Sequence, residues 1–120
     1  MHNKIELLKI VFSRFDFLID LSKEEISYEI KKNATCNFSK DESLSRVLVA
    51  ITFTAKAEDE SAFHLFVDAS VELQMDCTPN DEEKEDYIRS TILPFADKVT
   101  SEHVQDALVA MGHSSIDLTT

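Results

Sequence analysis

Between Ser61 and Met75 the chain alternates with a period of two. Phe63, Leu65, Val67, Ala69, Val71, Leu73 and Met75 are apolar, and His64, Asp68, Ser70, Glu72 and Gln74 on the other parity are polar. Successive side chains of a strand point to opposite faces, so the pattern predicts a long strand with one buried face. Ala62 and Phe66 are exceptions that put apolar atoms on the face expected to be wet. Two earlier runs share the period. Tyr28, Ile30, Ala34, Cys36 and Phe38 stand on even numbers among polar odd ones, and Val47, Val49, Ile51, Phe53, Ala55 and Ala57 form a run rich in β-branched residues. The acidic stretch Glu58, Asp59, Glu60 is short enough for a hairpin turn, so these three strands read as an antiparallel meander. A first segment, Ile5 to Ile19, holds Leu8, Ile10 and Phe12 in one phase and then shifts to Phe15, Phe17 and Ile19. Such a slip predicts a bulge or a sharp bend.

After Met75 the period lengthens. Ile88, Ile92, Phe95 and Val99 recur at helical spacing, and Val104, Leu108 and Met111 continue on a slightly shifted stripe. Thr78 is placed to cap this helix, with Pro79 in its first turn and Asp81, Glu82 and Glu83 offsetting the positive end of the helix dipole. Pro94 should kink the helix, and Gly112, the sole glycine, suits the left-handed residue that closes it. Ser114 to Thr120 reads as a short tail with Ile116 and Leu118 extended. No repeat, low-complexity tract or linker divides residues 1–120, so one domain is expected.

Composition narrows the function classes. A chain of 120 residues can bury about two-thirds of its unfolded surface, enough for one modest core. Its net charge of −11 disfavours nucleic acid, whose binding rests on Lys and Arg neutralising phosphates. Glu6, Lys9, Arg14 and Asp16 interrupt the N-terminal segment, which has neither a signal-peptide core nor a membrane-spanning stretch. A cytoplasmic location with no membrane insertion is the expectation. Cys36 and Cys77 follow no redox or zinc pattern and read as reduced thiols used as small hydrophobes. His2, His64, His103 and His113 stand at no metal-ligand spacing and read as solvated. The acidic stretch from Asp76 through Asp86 lacks the alternating oxygen ligands and mid-loop glycine of a calcium loop. With one glycine there is no nucleophile elbow, phosphate loop or dinucleotide fingerprint. No catalytic residue, metal or cofactor is expected, and the protein does not read as an enzyme.

Apolar surface remains. Leu8, Ile10, Phe12, Phe15, Phe17, Leu18, Leu48 and Phe66 supply more apolar side chains than one sheet layer and one helix can cover. They fit a homo-oligomer interface, or a groove that accepts extended, aromatic-rich polypeptide.

Several strings, taken in order, resemble the SecB family of bacterial export chaperones. Leu7 to Phe17, LLKIVFSRFDF, is similar to that family's first strand, and Tyr28 to Lys31, YEIK, to the opening of its second. Val47 to Ala55, VLVAITFTA, with Ala62-Phe63 after an acidic turn, resembles its third strand and the start of its fourth. Ile92 to Ala96, ILPFA, resembles the proline-containing head of its long helix, and Ser115 to Leu118 the stretch after it. The resemblance implies an α+β fold, a four-stranded antiparallel sheet with one long kinked C-terminal helix packed on one face, assembled as a homo-oligomer, a dimer or dimer of dimers. It implies ATP-independent holding of unfolded or partly folded polypeptides in apolar grooves, at sites falling on Phe12, Phe15, Phe17, Leu18, Phe66 and Phe95. A dedicated interaction module for one partner, such as an antitoxin, is the alternative. The family's acids that dock the export motor align with Arg14, Leu18 and Phe66, which reverses one charge and makes two positions apolar.

Overall fold

The computed structural model describes residues 4–22 and 26–113. Strands β1 (Ile5–Ile19), β2 (Tyr28–Phe38), β3 (Arg46–Ala57) and β4 (Phe63–Met75) form one antiparallel sheet in the order β1-β4-β3-β2. The last three are the meander that alternation predicts. β1 returns to the far side of β4, which leaves β1 and β2 as the two edges. Every odd-numbered residue of β4 and β3 is buried, and the even-numbered residues are half-buried or exposed. Ala62 differs from expectation: it is buried in the turn before β4, its amide donating to the Asp59 carbonyl at 2.9 Å. The Asp59 carboxylate accepts from the amide and hydroxyl of Ser61, which pins the same turn.

The phase slip in β1 is a bulge, and there are two of them. Register shifts fall between Phe12 and Arg14 and between Leu7 and Lys9. Cross-strand partners share a face, so the pairs Leu7–Leu73, Ile10–Val71, Phe12–Ala69, Phe15–Val67 and Phe17–Leu65 place these β1 residues on the buried face of β4. Leu8, expected in phase with Ile10, instead sits in the first bulge and is exposed. Each extra residue takes up one change of parity, from odd at Leu7 to even at Ile10 and Phe12 and back to odd at Phe15 and Phe17, so the apolar side chains stay on the core side.

The helix is continuous but begins later than expected and opens through a π turn. α1 (Lys84–Tyr87), a π-helical turn (Ile88–Ile92) and α2 (Leu93–Ala110) follow without a break. Thr78 is not the cap, because α1 opens only at Lys84; its hydroxyl instead donates to Ser45 at 3.4 Å and ties the chain to the loop before β3. Asn80 closes the turn that leads into α1: its side-chain oxygen accepts the Glu83 amide at 2.9 Å and its carbonyl accepts the amides of Glu83 and Lys84, while Glu83, at the N-cap position itself, makes no side-chain cap. Where a kink is expected at Pro94, a π-helical turn, Ile88–Ile92, lies just before it. Proline lacks a donor and crowds the carbonyl four residues back, and a wider turn absorbs that misfit. Gly112 ends the helix as predicted, with φ of 91°, the His113 amide reaching the Leu108 carbonyl and its own amide the Val109 carbonyl. Ile116 and Leu118 lie outside the described residues.

The helix runs back over the odd-numbered face of the sheet. Ile92 and Ala96 pack with Val47, Val49, Ile51, Val71 and Leu73, and Val104 and Leu108 pack with Phe53, Phe63, Leu65 and Val67. We expect Leu65→Ala to cost about 2–5 kcal/mol in urea unfolding, as for other fully buried leucines. Gly112→Ala should cost about 1–2 kcal/mol through backbone strain, because nothing lies within 4 Å of an added Cβ. Gly112→Asn should cost less, since asparagine tolerates that conformation better.

Candidate polypeptide-binding surface

The six aromatic and aliphatic residues singled out in the sequence do not share one face. Phe12, Phe15 and Phe17 lie along β1 on the helix side of the sheet. Phe12 and Phe15 meet edge to face with ring centroids 6.2 Å apart. Phe17 meets Phe63 edge on at 6.0 Å and the ring of His113 at 5.1 Å, and Phe63 in turn stacks on Tyr28 at 5.0 Å. The small Ala55 and Ala57 of β3 leave room for these rings. Phe12 and Phe17 thereby belong partly to the core, whereas Phe15 remains 37% exposed.

Leu18 and Phe66 face the opposite way. Their register partners, His64 and Asp16, are on the face of the sheet that carries no helix. Leu18 is 41% exposed there. Phe66 is half-buried by its own neighbours: the His64 ring stacks parallel to it at 4.9 Å and the Arg14 guanidinium lies 5.3 Å from its centroid. His64 is further held between the Asp16 carboxylate and the Glu60 carbonyl, each at 3.2 Å, so it is not the solvated side chain that its spacing suggests. Alternation could not reveal the part of this cover that Arg14 and Asp16 supply, because they come from an edge strand distant in sequence. Arg14, Leu18 and Phe66 do share this open face.

Phe95 belongs to α2 and packs, half-buried, in the cluster that includes Ile5, Leu7 and Ile10 of β1. Its orientation follows from the other flank of the helix. Asp97 pairs with Lys32 of β2 at 2.9 Å, and Ser101 accepts from the same ammonium at 3.5 Å. Helical geometry then turns Phe95 and Val99 toward β1. An apolar margin therefore runs between the β1 edge, at Ile10, Phe12 and Phe15, and the flank of α2 at Phe95 and Val99. On the β2 flank lies a cleft of about 330 Å³ lined by Lys32, Ala34, Ile51, Arg89, Leu93 and Pro94. The sequence reading passed over Lys32, although a lysine on the apolar parity of β2 is a visible signal of a special environment. Its ammonium also lies 5.3 Å from the Phe53 ring centroid, which with Asp97 makes burial of its stem tolerable.

No family model and no curated protein sequence matches the chain. A SecB-like fold is nonetheless what these elements make. Among solved structures the chain is similar to the Mycobacterium tuberculosis Rv1957 SecB-like chaperone, in complex with a ChAD peptide from the Rv1956 HigA1 antitoxin, with a TM-score of 0.67 and 13% identity over 95% of this chain and 87% of that one. At that identity the likeness establishes the fold: α+β, with four antiparallel strands and one C-terminal helix. The neighbour is described as a SecB-like chaperone. Among the described residues no helix is long and apolar enough to cross a membrane.

Two outcomes follow from burial alone. Phe15→Ala should cost less than about 1 kcal/mol in urea unfolding, against about 3–5 kcal/mol for the fully buried Phe63→Ala. Burial pushes the Cys36 thiol up, so in an intact-mass time course with iodoacetamide at pH 8 the exposed Cys77 should be alkylated first. Equal rates would contradict the burial of Cys36.

Proposed function

We propose that the protein is a chaperone-like binder that holds unfolded or partly folded polypeptides against the apolar margin between β1 and α2, without ATP and as a homo-oligomer. The observation that supports this reading is the strip Phe12, Phe15 and Phe17 on an edge strand, directed to the helix side, with Ile10 before it on the same face in the cluster that holds Phe95. Each phenylalanine or leucine of a client that is buried there contributes about 1.5–3 kcal/mol without sequence-specific hydrogen bonds. An edge strand also offers unpaired backbone groups to an extended chain. The sides of the sheet divide the roles: Phe12, Phe15, Phe17 and Phe95 contact the client, and Leu18 and Phe66 serve a different contact on the open face.

A narrower reading is a module dedicated to one partner. The structural neighbour was solved with an antitoxin peptide, which supports a single polypeptide ligand as readily as many. A link to export is weaker, since Arg14, Leu18 and Phe66 present a cation and two apolar groups where docking would use carboxylates.

The test is suppression of aggregation of a reduced, unfolded substrate at near-stoichiometric ratio. Phe15→Asp should weaken it about tenfold, roughly 1.4 kcal/mol, while Leu18→Asp leaves it unchanged. No suppression at about fivefold excess of protomers sinks the holdase reading. Binding to one peptide but to none of several unrelated unfolded chains selects the dedicated module. Light scattering before and after client addition should show a dimer or larger assembly that gains the mass of the client.

A further inference from the structure

The described chain stops beside the aromatic margin. Gly112, with φ of 91°, turns the backbone out of the helix, and the His113 amide reaches the Leu108 carbonyl at 2.8 Å. The His113 ring then rests on Phe17, with centroids 5.1 Å apart. Phe17 lies close to the end of β1 at Ile19, so continuation along that strand leads back toward Phe12, antiparallel to it. The edge there is open: β1 pairs with β4, and among the described residues no strand faces its outer backbone groups. Residues 114–120 follow His113, and 114–118 alone, at about 3.4 Å per residue, reach from Phe17 to Phe12.

Sequence and edge are complementary in one register. Residues 114–120 read Ser-Ser-Ile-Asp-Leu-Thr-Thr, a pattern that in an extended chain sends Ile116 and Leu118 to one side and Asp117 to the other. With Ser114 opposite Phe17, next to the residue His113 already touches, antiparallel pairing sets Ile116 opposite Phe15, Asp117 opposite Arg14, and Leu118 at the bulge beside Phe12. Opposite residues share a face. In this register Ile116 and Leu118 meet the helix-side rings, of which Phe15 is 37% exposed, and the Asp117 carboxylate meets the Arg14 guanidinium on the open side. Arg14 has capacity for it, since its pairing with Asp16 is loose at 3.7 Å and its side chain is 55% exposed. The neighbouring registers fail. A slip of one residue turns Asp117 toward the rings and Ile116 away from them, and a slip of two toward Ile19 sets Asp117 against Asp16. From this match we propose that residues 114–120 dock on the β1 edge of their own chain as a fifth antiparallel strand, in the place a client would take. The competition rests on the reading of that margin as the client site; the docking does not.

Two measurements read the docking without a client. In a Cys36→Ser/Cys77→Ser background, Phe15→Cys/Ile116→Cys should close an intramolecular disulfide under oxidised glutathione, because opposite Cα atoms of antiparallel strands lie about 4.5–5.5 Å apart. Phe15→Cys/Ser115→Cys, with residue 115 directed to the open side, should close at least about tenfold more slowly. Ending the chain after His113 should speed amide exchange across residues 12–17 at least about tenfold, since the outer edge of β1 then loses its cover. Equal closure of the two pairs, closure of neither, a disulfide that joins two copies, or unchanged exchange would each overturn the docking. The competition is read from aggregation of reduced α-lactalbumin. Asp117→Arg should strengthen its suppression about threefold, and the exchange Arg14→Asp/Asp117→Arg should return it to the level of the unaltered chain. Suppression unmoved by Asp117→Arg, or a double variant that behaves like the single one, would overturn the competition. If no variant suppresses aggregation, the holdase reading fails while the disulfide and the exchange still decide the docking. If those two fail, the margin stays open to a client and the holdase reading stands.

Discussion

The one-sided burial of β4 is the constraint on which the rest of the structure depends. It is hydrogen-bonded to β1 on one edge and β3 on the other, and all seven of its odd-numbered side chains from Phe63 to Met75 are buried. A slip of one residue on either neighbour would exchange core for solvent along the entire strand. β3 meets this demand by strict alternation. β1 meets it only by inserting two extra residues, and the helix meets it by lying across the face so created.

That solution distributes apolar surface unevenly. β3 and β4 are covered on the helix side, whereas β1 is an edge strand beyond the reach of full helix cover, and its aromatic residues grade from the partly buried Phe12 and Phe17 to the exposed Phe15. The same edge geometry that leaves these rings accessible also leaves backbone groups unpaired. The polypeptide binding proposed for this margin would follow from where cover runs out. On the opposite face the apolar exceptions are managed locally, with Phe66 enclosed by His64 and Arg14.

Much of the architecture was legible. The four strands, the bulge near Ser13 and the glycine that closes the helix follow from period, phase and one left-handed residue. The helix start was not: Thr78, Asn80 and the acids after them all suit a cap, yet the residues through Glu83 form turns and α1 opens only at Lys84. The π turn was also hidden, since proline announces a misfit without saying how the preceding turn absorbs it. Of the candidate site, the types of residue were legible and their grouping was not. Leu18 stands one residue after Phe17 and faces the other way, and Phe66 joins Arg14 only because β1 pairs with β4.

Alternation and helical spacing by themselves determined the elements, their buried faces and an excess of apolar side chains, because these depend only on neighbours along the chain. The place of β1 beside β4, the second bulge, the pairing of Lys32 with Asp97 and the division of aromatic residues between two faces were decided by tertiary structure alone. Each depends on which edge of β4 receives β1 and on where the helix lies across the sheet, and those are settled by packing between segments far apart in sequence.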